Sequence, residues 1–433
     1  MSTATVNSVA MADIATINDI TVPSGGSGGY ASSSTGLLIW GQDGAPTKPI
    51  PSDVFVGGSI PLGYSIYDPT PYTVVKLDMY QNYMGLLDSN GDLYTGGGSN
   101  TAYMGRSTTG STPSTGLYLA ESNVADFCAH QYGFFVVKTD GTLWHTGNTG
   151  QFLSGVSATY YTWAQYGTDT DWVSVDATKG YPYTIYAVKG SGSSKYWYAT
   201  GYSNYGATGQ GTNSGRLYAW TRVKSAAATD LNESIAYMSS GPRGTCGVVT
   251  ERGKIFTVGD GYYGHLGNGA NVQNTYATQA GTATNWRKVY MAALGSFAIN
   301  TNNEIYASGV NSTYYYFTTG QYSSNLRLFT QIGTHTDIED IVAQNFSTSF
   351  NQNWKGVVIK KTDGKWYYNG QNGFNQFGTI TGSATTAATL DGDFTNSVYV
   401  QNPISSSATQ GTAYVTSEAE NASAVPGILI AVS

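Results

Sequence analysis

Four histidines are the first residues to weigh for chemistry: His130, His145, His265 and His335. A zinc site needs a second His or Cys at ligand spacing. Each of these histidines stands apart from such a neighbour, so a structural role is expected for all four and no metal or cofactor is implied. Gly25-Gly-Ser27-Gly-Gly29 matches Gly-x-Ser-x-Gly in letters only, inside a Gly/Ser linker, and no glycine loop leads into Lys-Ser or Lys-Thr, which argues against the usual nucleophile and phosphate-binding devices. Asp88-Ser-Asn90-Gly-Asp92 begins like a calcium loop but lacks the distal bidentate Glu, and a tight hairpin accounts for the same residues. Glu339 and Asp340 are adjacent, so on a strand their carboxylates point to opposite faces, the wrong geometry for paired acid and base. Convergence of carboxylates from separate parts of the chain stays open. The expectation is a protein that is not an enzyme.

Aromatic clusters offer binding instead of bond-breaking. Tyr160, Tyr161 and Trp163 form one, Tyr262 and Tyr263 a second, and Tyr314, Tyr315 and Tyr316 a third. Tyr and Trp present an apolar body with a polar tip, suited to stacking on sugars or packing on protein. The competing role is to fill the gaps between packed sheets.

The elements that would carry these side chains follow from composition. Of 433 residues only 11% are charged, with 27 acidic against 20 basic and a net charge of −7. That excludes a basic nucleic-acid binder and a charge-laced helical protein. Forty per cent apolar content allows a sizeable core, and 55 glycines favour many short strands joined by turns. Two cysteines, Cys128 and Cys246, are too few for a disulfide framework and read as small buried hydrophobes. No run approaches the roughly 20 apolar residues of a membrane span. Met1 to Gly29 lacks the basic start and apolar centre of a secretory signal.

One pattern recurs along the chain: a strand, a small turn, a second strand, an Asp-Gly-like turn, and a third strand ending at glycine. Copies run through Met84–Leu87 with Asp92–Tyr94, Phe134–Val137 with Thr142–Trp144, Gly247–Val249 with Lys254–Phe256, Phe297–Ile299 with Glu304–Tyr306, and Val357–Ile359 with Lys365–Tyr367. A diverged copy spans Tyr186–Val188 and Tyr196–Tyr198. Tight hairpins need positive φ, which Asn, Asp and Gly accept. Alternation such as Val75, Leu77, Met79 against Lys76 and Asp78 marks strands. Turns about 50 to 60 residues apart match the length of a four-stranded propeller blade. Units are expected to begin near Thr73, Asn123, Thr170, Leu231, Asn285 and Asp337. Two remnants are left: Gly36–Gly41 at the front, matching a third strand, and Ser397–Gln401 with Thr412–Thr416 at the back, matching a first and second. Joined, they would close a seventh blade from both chain ends.

These repeats resemble the RCC1-like seven-bladed β-propellers. The best match to the family loop is Gly259-Asp-Gly-Tyr-Tyr-Gly264-His-Leu266-Gly267-Asn-Gly269, with weaker matches at Gly201–Gly209 and Gly370–Gly378. Trp172 and Trp286 stand where the family places a strand-leading Trp, and His265 where it often has Gln. The resemblance implies an all-β, seven-bladed fold over residues 30–418, with a tail or strand at 419–433. Eukaryotic members act in nucleotide exchange on small GTPases and on chromatin. A chromatin arm should be basic; residues 1–29 contain no Lys or Arg, so that role is not carried over.

Residues 1–29 resemble the leader segments of bacteriophage virion proteins. Val6, Val9, Ile14, Ile17 and Ile20 form an apolar-spaced arm, followed by a Gly/Ser hinge from Pro23 to Gly29. Such an arm docks on a partner's groove or sheet edge, or packs on the propeller's own flank. The first expectation is therefore a virion structural protein, a tail fibre, appendage or capsid decoration, located on the virion. It would bind other virion proteins and a host surface glycan or protein, without nucleic acid or membrane insertion. The alternatives are a cellular RCC1-like scaffold or regulator that binds protein through one ring face, and a virion-borne polysaccharide-active enzyme.

Overall fold

In the computed structural model the described residues are 36–40, 64–67, 74–80, 83–97, 101–105, 117–153, 159–292, 295–310, 325–343, 356–363, 366–370, 398–399, 410–415 and 428–432. They form seven four-stranded antiparallel sheets. Six follow chain order, with inner strands Val74–Tyr80, Val124–His130, Trp172–Ala177, Ile235–Ser240, Trp286–Tyr290 and Ile338–Ala343. These starts fall beside the expected unit boundaries. The helical pieces among the described residues are short 3-10 turns, Thr101–Met104, Thr149–Gln151 and Asn204–Gly206.

The closing sheet is built from both ends of the chain, in the order Tyr64–Tyr67, Gly36–Trp40, Ile428–Val432, Gln410–Val415. Its composition differs from the expected one. Val398–Tyr399 pairs with Trp366–Gly370 as the outer strand of the sixth sheet, and Ile428–Val432 takes the second position. Trp40 lies opposite Ile428, and Ile428 lies opposite Val415. The third-strand role read for residues near Trp40 holds. Each inner strand touches the next, and Gln410–Val415 touches both Ile338–Ala343 and Val74–Tyr80, so the sheets form a ring.

The core lies in slabs between neighbouring sheets. Leu87, Phe127 and Phe134 fill the slab between the first two. Phe135, Phe152, Trp172 and Ile185 fill the next, then Tyr186, Trp197 and Val248. Stacked sheets bury side chains from facing strands in this way. The strand-leading Trp172 and Trp286 are buried at 4% and 6% exposure, and the free Cys128 and Cys246 are buried, where burial pushes both thiols well up.

Every inner strand of the six consecutive sheets begins with a bulge, between Val74 and Lys76, Val124 and Asp126, Trp172 and Ser174, Ile235 and Tyr237, Trp286 and Lys288, and Ile338 and Asp340. The extra residue leaves the alternation. Val75, which simple alternation would turn inward, stands 50% exposed.

Hairpins between second and third strands form as the sequence predicts. Asp88 Oδ1 accepts the amides of Asn90 and Asp92 at 2.9 and 2.8 Å. That explains the calcium-like residues as turn chemistry. Asn300 Oδ1 accepts those of Asn302 and Glu304, both at 3.0 Å.

Candidate binding face

Antiparallel order sorts the loops to two ends of the ring. One end carries the turns from inner to second strand and the connections from third to outer strand. They are joined by bonds such as Asn148 N to Tyr132 O at 2.9 Å and Tyr202 N to Tyr183 O at 3.1 Å; this is the connection face. The other end carries the hairpins and the links to the next sheet, joined by Trp172 N to Gly141 O and Trp286 N to Gly253 O, both at 3.0 Å; this is the hairpin face. Third-strand glycines make the first contact possible. Gly259 has φ 104°, and a Cβ there would lie 2.1 Å from Gly244 O.

The two faces differ in chemistry. On the hairpin face lysines pair with acids: Lys138–Glu121 at 2.5 Å, Lys189–Asp169 at 2.8 Å, Lys254–Glu233 at 2.8 Å and Lys361–Asp337 at 3.0 Å. On the connection face of sheets two to four, the charges among the described residues are Arg216, Arg243 with its partner Asp260, and buried Lys179. Tyr132, Tyr181, Tyr183, Tyr202, Tyr205, Tyr262 and Tyr263 lie there among small and amide residues. Tyr183 meets Tyr132, Tyr181 and Tyr202 with ring centroids 5.9, 5.8 and 6.1 Å away. The Arg216 guanidinium lies 3.8 Å above the Tyr202 ring and donates to Gln151 Oε1 at 2.7 Å. Arg243 covers Tyr205 at 5.1 Å. Tyr262 stands 67% exposed with its ring against Tyr263. Rings braced by neighbours in this way lose less side-chain freedom when a partner binds.

The aromatic residues singled out from sequence divide. Tyr160 rests its ring on His145 at 5.1 Å, and Tyr161 is 43% exposed on the outer strand of the second sheet. Trp163 is engaged between sheets, donating Nε1–H to Ala120 O at 2.9 Å and closing over Gly105. Tyr262 and Tyr263 lie on the connection face. Tyr314, Tyr315 and Tyr316 lie outside the described residues, as do the arm residues Val6, Val9, Ile14, Ile17 and Ile20. Sequence clustering passed over Tyr132, Tyr181, Tyr183, Tyr202 and Arg216, which are scattered along the chain. Their signal was position: each flanks a strand end of the repeat, as in Tyr132-Gly133 and Gly201-Tyr202.

Carboxylates do gather around the ring centre, yet each holds a neighbouring sheet. Asp78 Oδ2 accepts the amide of Ala129 at 2.7 Å and Lys179 Nζ at 2.6 Å. Asp126 accepts Lys76 Nζ at 2.6 Å and the Val175 amide at 2.9 Å. Asp176 accepts the Ser240 amide at 2.7 Å, and burial pushes its carboxyl up in spite of that bond. These bonds satisfy amides on the open edge of the inner strands of sheets two, three and four. A cleft of about 270 Å³ is lined by Asp126 and Asp176 together with Lys76, Lys195 and Tyr237. Glu339 pairs with Lys360 at 3.0 Å, while Asp340 takes Lys288 at 2.7 Å and the Tyr290 hydroxyl; adjacent in sequence, they serve different partners. No group of three or more His, Cys, Asp or Glu side chains able to hold a metal occurs among the described residues. No helix there is long and apolar enough to cross a membrane.

Three histidines are buried at the connection-face end of their sheets: His130, His145 and His265 at 1%, 3% and 0% exposure. Burial holds His130 well below the ordinary imidazole range, and lowers His145 and His265 to about 4.

No protein-family model matches the chain, and no curated protein sequence matches it significantly. Solved structures do resemble it. Human WBSCR16 superposes with a TM-score of 0.64 at 12% identity, covering 92% of this chain and 98% of that one. Prp20p from Saccharomyces cerevisiae, described with its binding to Gsp1p and histones, gives 0.65 at 12% identity over 92% and 91%. Yeast RCC1 (Prp20) with Kap60 bound gives 0.63 at 12% identity over 92% and 89%. At this identity the likeness speaks for architecture. The ring of four-stranded antiparallel sheets agrees with it: this chain folds as an RCC1-like β-propeller.

Proposed function

We propose that this propeller is a binding protein, not an enzyme, and that it holds a partner protein through the connection face of its second, third and fourth sheets. The observation that carries the reading is the contrast between the two faces. Lys138, Lys189, Lys195, Lys254 and Lys361 on the hairpin face are paired with acids within the chain, whereas the connection face offers clustered tyrosine rings, two stacked guanidinium groups and few other charges. Tyrosine and arginine are the residue types that dominate protein interfaces. The central carboxylates are engaged in holding sheets together, which supports binding over acid–base chemistry. The similar yeast propeller binds other proteins, and this supports a cellular scaffold or regulator over the other readings. Display on a bacteriophage virion is the second reading; it is favoured by the apolar-spaced arm of residues 1–29 alone, and none of the similar structures named above is a virion protein.

A photo-crosslinking residue placed at Tyr262, and separately at Lys138, tests the proposal in the cells that make the protein. A defined partner is expected to crosslink from position 262 and to be lost in the variant R216A/Y202A. Crosslinks confined to position 138 would overturn it. Finding that partner in phage particles would favour the virion reading.

A further inference from the structure

We infer that the connection face is acid-labile: protonation of His130 and His265 loosens the turns that present Tyr132, Tyr262 and Tyr263 while the hairpin face stays intact. His130 Nδ1 accepts the amide of Tyr132 at 3.2 Å, so this nitrogen carries no hydrogen in the neutral ring. A protonated imidazole bears hydrogen on both nitrogens. It would turn this acceptor into a donor facing the amide that sets the turn. Around His130 the rings of Phe135 and Phe152 lie at centroid distances of 5.2 and 4.9 Å, and Lys179 and His145 are neighbours that act against a positive charge there.

His265 is the more exposed to conflict in energy, though not in space. It is fully buried, and neither ring nitrogen has a hydrogen-bond partner among the described residues. Its titratable and charged neighbours are Tyr263 on the same connection, Asp260 at the head of that connection, and Arg243 from the turn beside it. Arg243 and Asp260 already form an ion pair, so the carboxylate is not free to receive a new cation. An imidazolium here must move toward water, carrying Tyr263 and Tyr262 with it. His145 sits behind the same face under Tyr160, its Nδ1 2.8 Å from Thr149 Oγ1. The hairpin face behaves oppositely. Asp140 and Glu251 are held below the usual carboxylate range by hydrogen bonds to Thr142 and Lys195, so they keep their charge further into acid.

The inference rests on the proposed function only in equating loosening with partner release. The test needs no partner: hydrogen-exchange protection in the full chain at pH 7 and at about pH 4.5. Each buried imidazole that must charge contributes up to about tenfold in opening per pH unit below 6.5. Protection at residues 131–133 and 260–267 is expected to fall at least about tenfold, with the hairpins at 139–142 and 251–253 changing by less than about threefold. The variant H130N/H265Q keeps acceptors but cannot charge, and should lose this pH dependence. Equal loosening of both faces, or loosening unchanged in the variant, would overturn the inference. If that variant does not fold, imidazole NMR titration of the native chain decides: midpoints below about 5.5 support the inference, and midpoints near 6.5 overturn it. A partner mapped to the hairpin face would overturn the proposed function and leave the exchange result standing.

Discussion

Asp126 shows how much one side chain does in this ring. Its two oxygens take Lys76 from the first sheet and the Val175 amide from the third, so it ties three consecutive sheets. Replacing it by alanine takes one acceptor from the part-buried Lys76 ammonium and removes the carboxylate that accepts the Val175 edge amide. The expected cost is about 2–4 kcal/mol in urea denaturation. Tyr161→Ala on the exposed outer strand should stay within about 0.5 kcal/mol, and comparable losses at both positions would contradict the assignment. The histidines give a second expectation, with its sign fixed by burial. A folded-state value below the unfolded one means the unfolded chain takes up protons first. Stability is therefore full above pH 6.5 and falls as pH drops toward 4. For His145, lowered to about 4, the loss is about 1.4 kcal/mol per pH unit, reaching about 3 kcal/mol. His145→Asn, which cannot charge, should flatten that part of the curve, read as melting temperature against pH.

Elements explain what the sequence made legible. Hairpins such as Asp88 to Asp92 were readable because turn chemistry is local: an Asx side chain followed by Gly closes on its own amides. Inner strands were readable from their leading Trp or aliphatic residue and their spacing. The bulge after that residue was not, since one inserted residue leaves composition unchanged and shows only as a shift in pairing; Val75 is the instance. The tyrosines of the connection face were hidden for a different reason. Residues 132, 183 and 202 meet because three strand ends meet, and pairwise distance between strand ends is a property of the closed ring. Gly259 puts this to a test. Its φ of 104° and the carbonyl of Gly244 leave no room for a methyl group, so Gly259→Ala should destabilise by about 2–4 kcal/mol and shift the Arg243 turn. An unchanged melting temperature would mean that the third strand need not end in glycine.

At the scale of the whole molecule, the decisive pairing joins residues far apart in sequence. Ile428–Val432 lies between Gly36–Trp40 on one side and Gln410–Val415 on the other, so it bonds the two chain ends into one sheet. Elsewhere each sheet is a run of consecutive strands that can form from local hairpins. Here the closure cost of a loop of nearly the full chain length is met only when the other sheets are in place. The ring should then unfold as one cooperative unit while this strand is present, because opening it exposes two sheet edges at once. Ending the chain at Gly427 removes the strand. Several backbone hydrogen bonds at about 0.5–1.5 kcal/mol each are lost on both sides, so the expected penalty is about 5 kcal/mol or more. The lost cooperativity should appear as tryptophan fluorescence and circular dichroism no longer changing together in urea. Deleting Met1–Gly29 should leave the same curves within about 0.5 kcal/mol, since the arm is expected to act between molecules. If instead the arm deletion breaks cooperativity and the Gly427 truncation does not, the ring is sealed by residues 1–29, and the strand at 428–432 is an appendage.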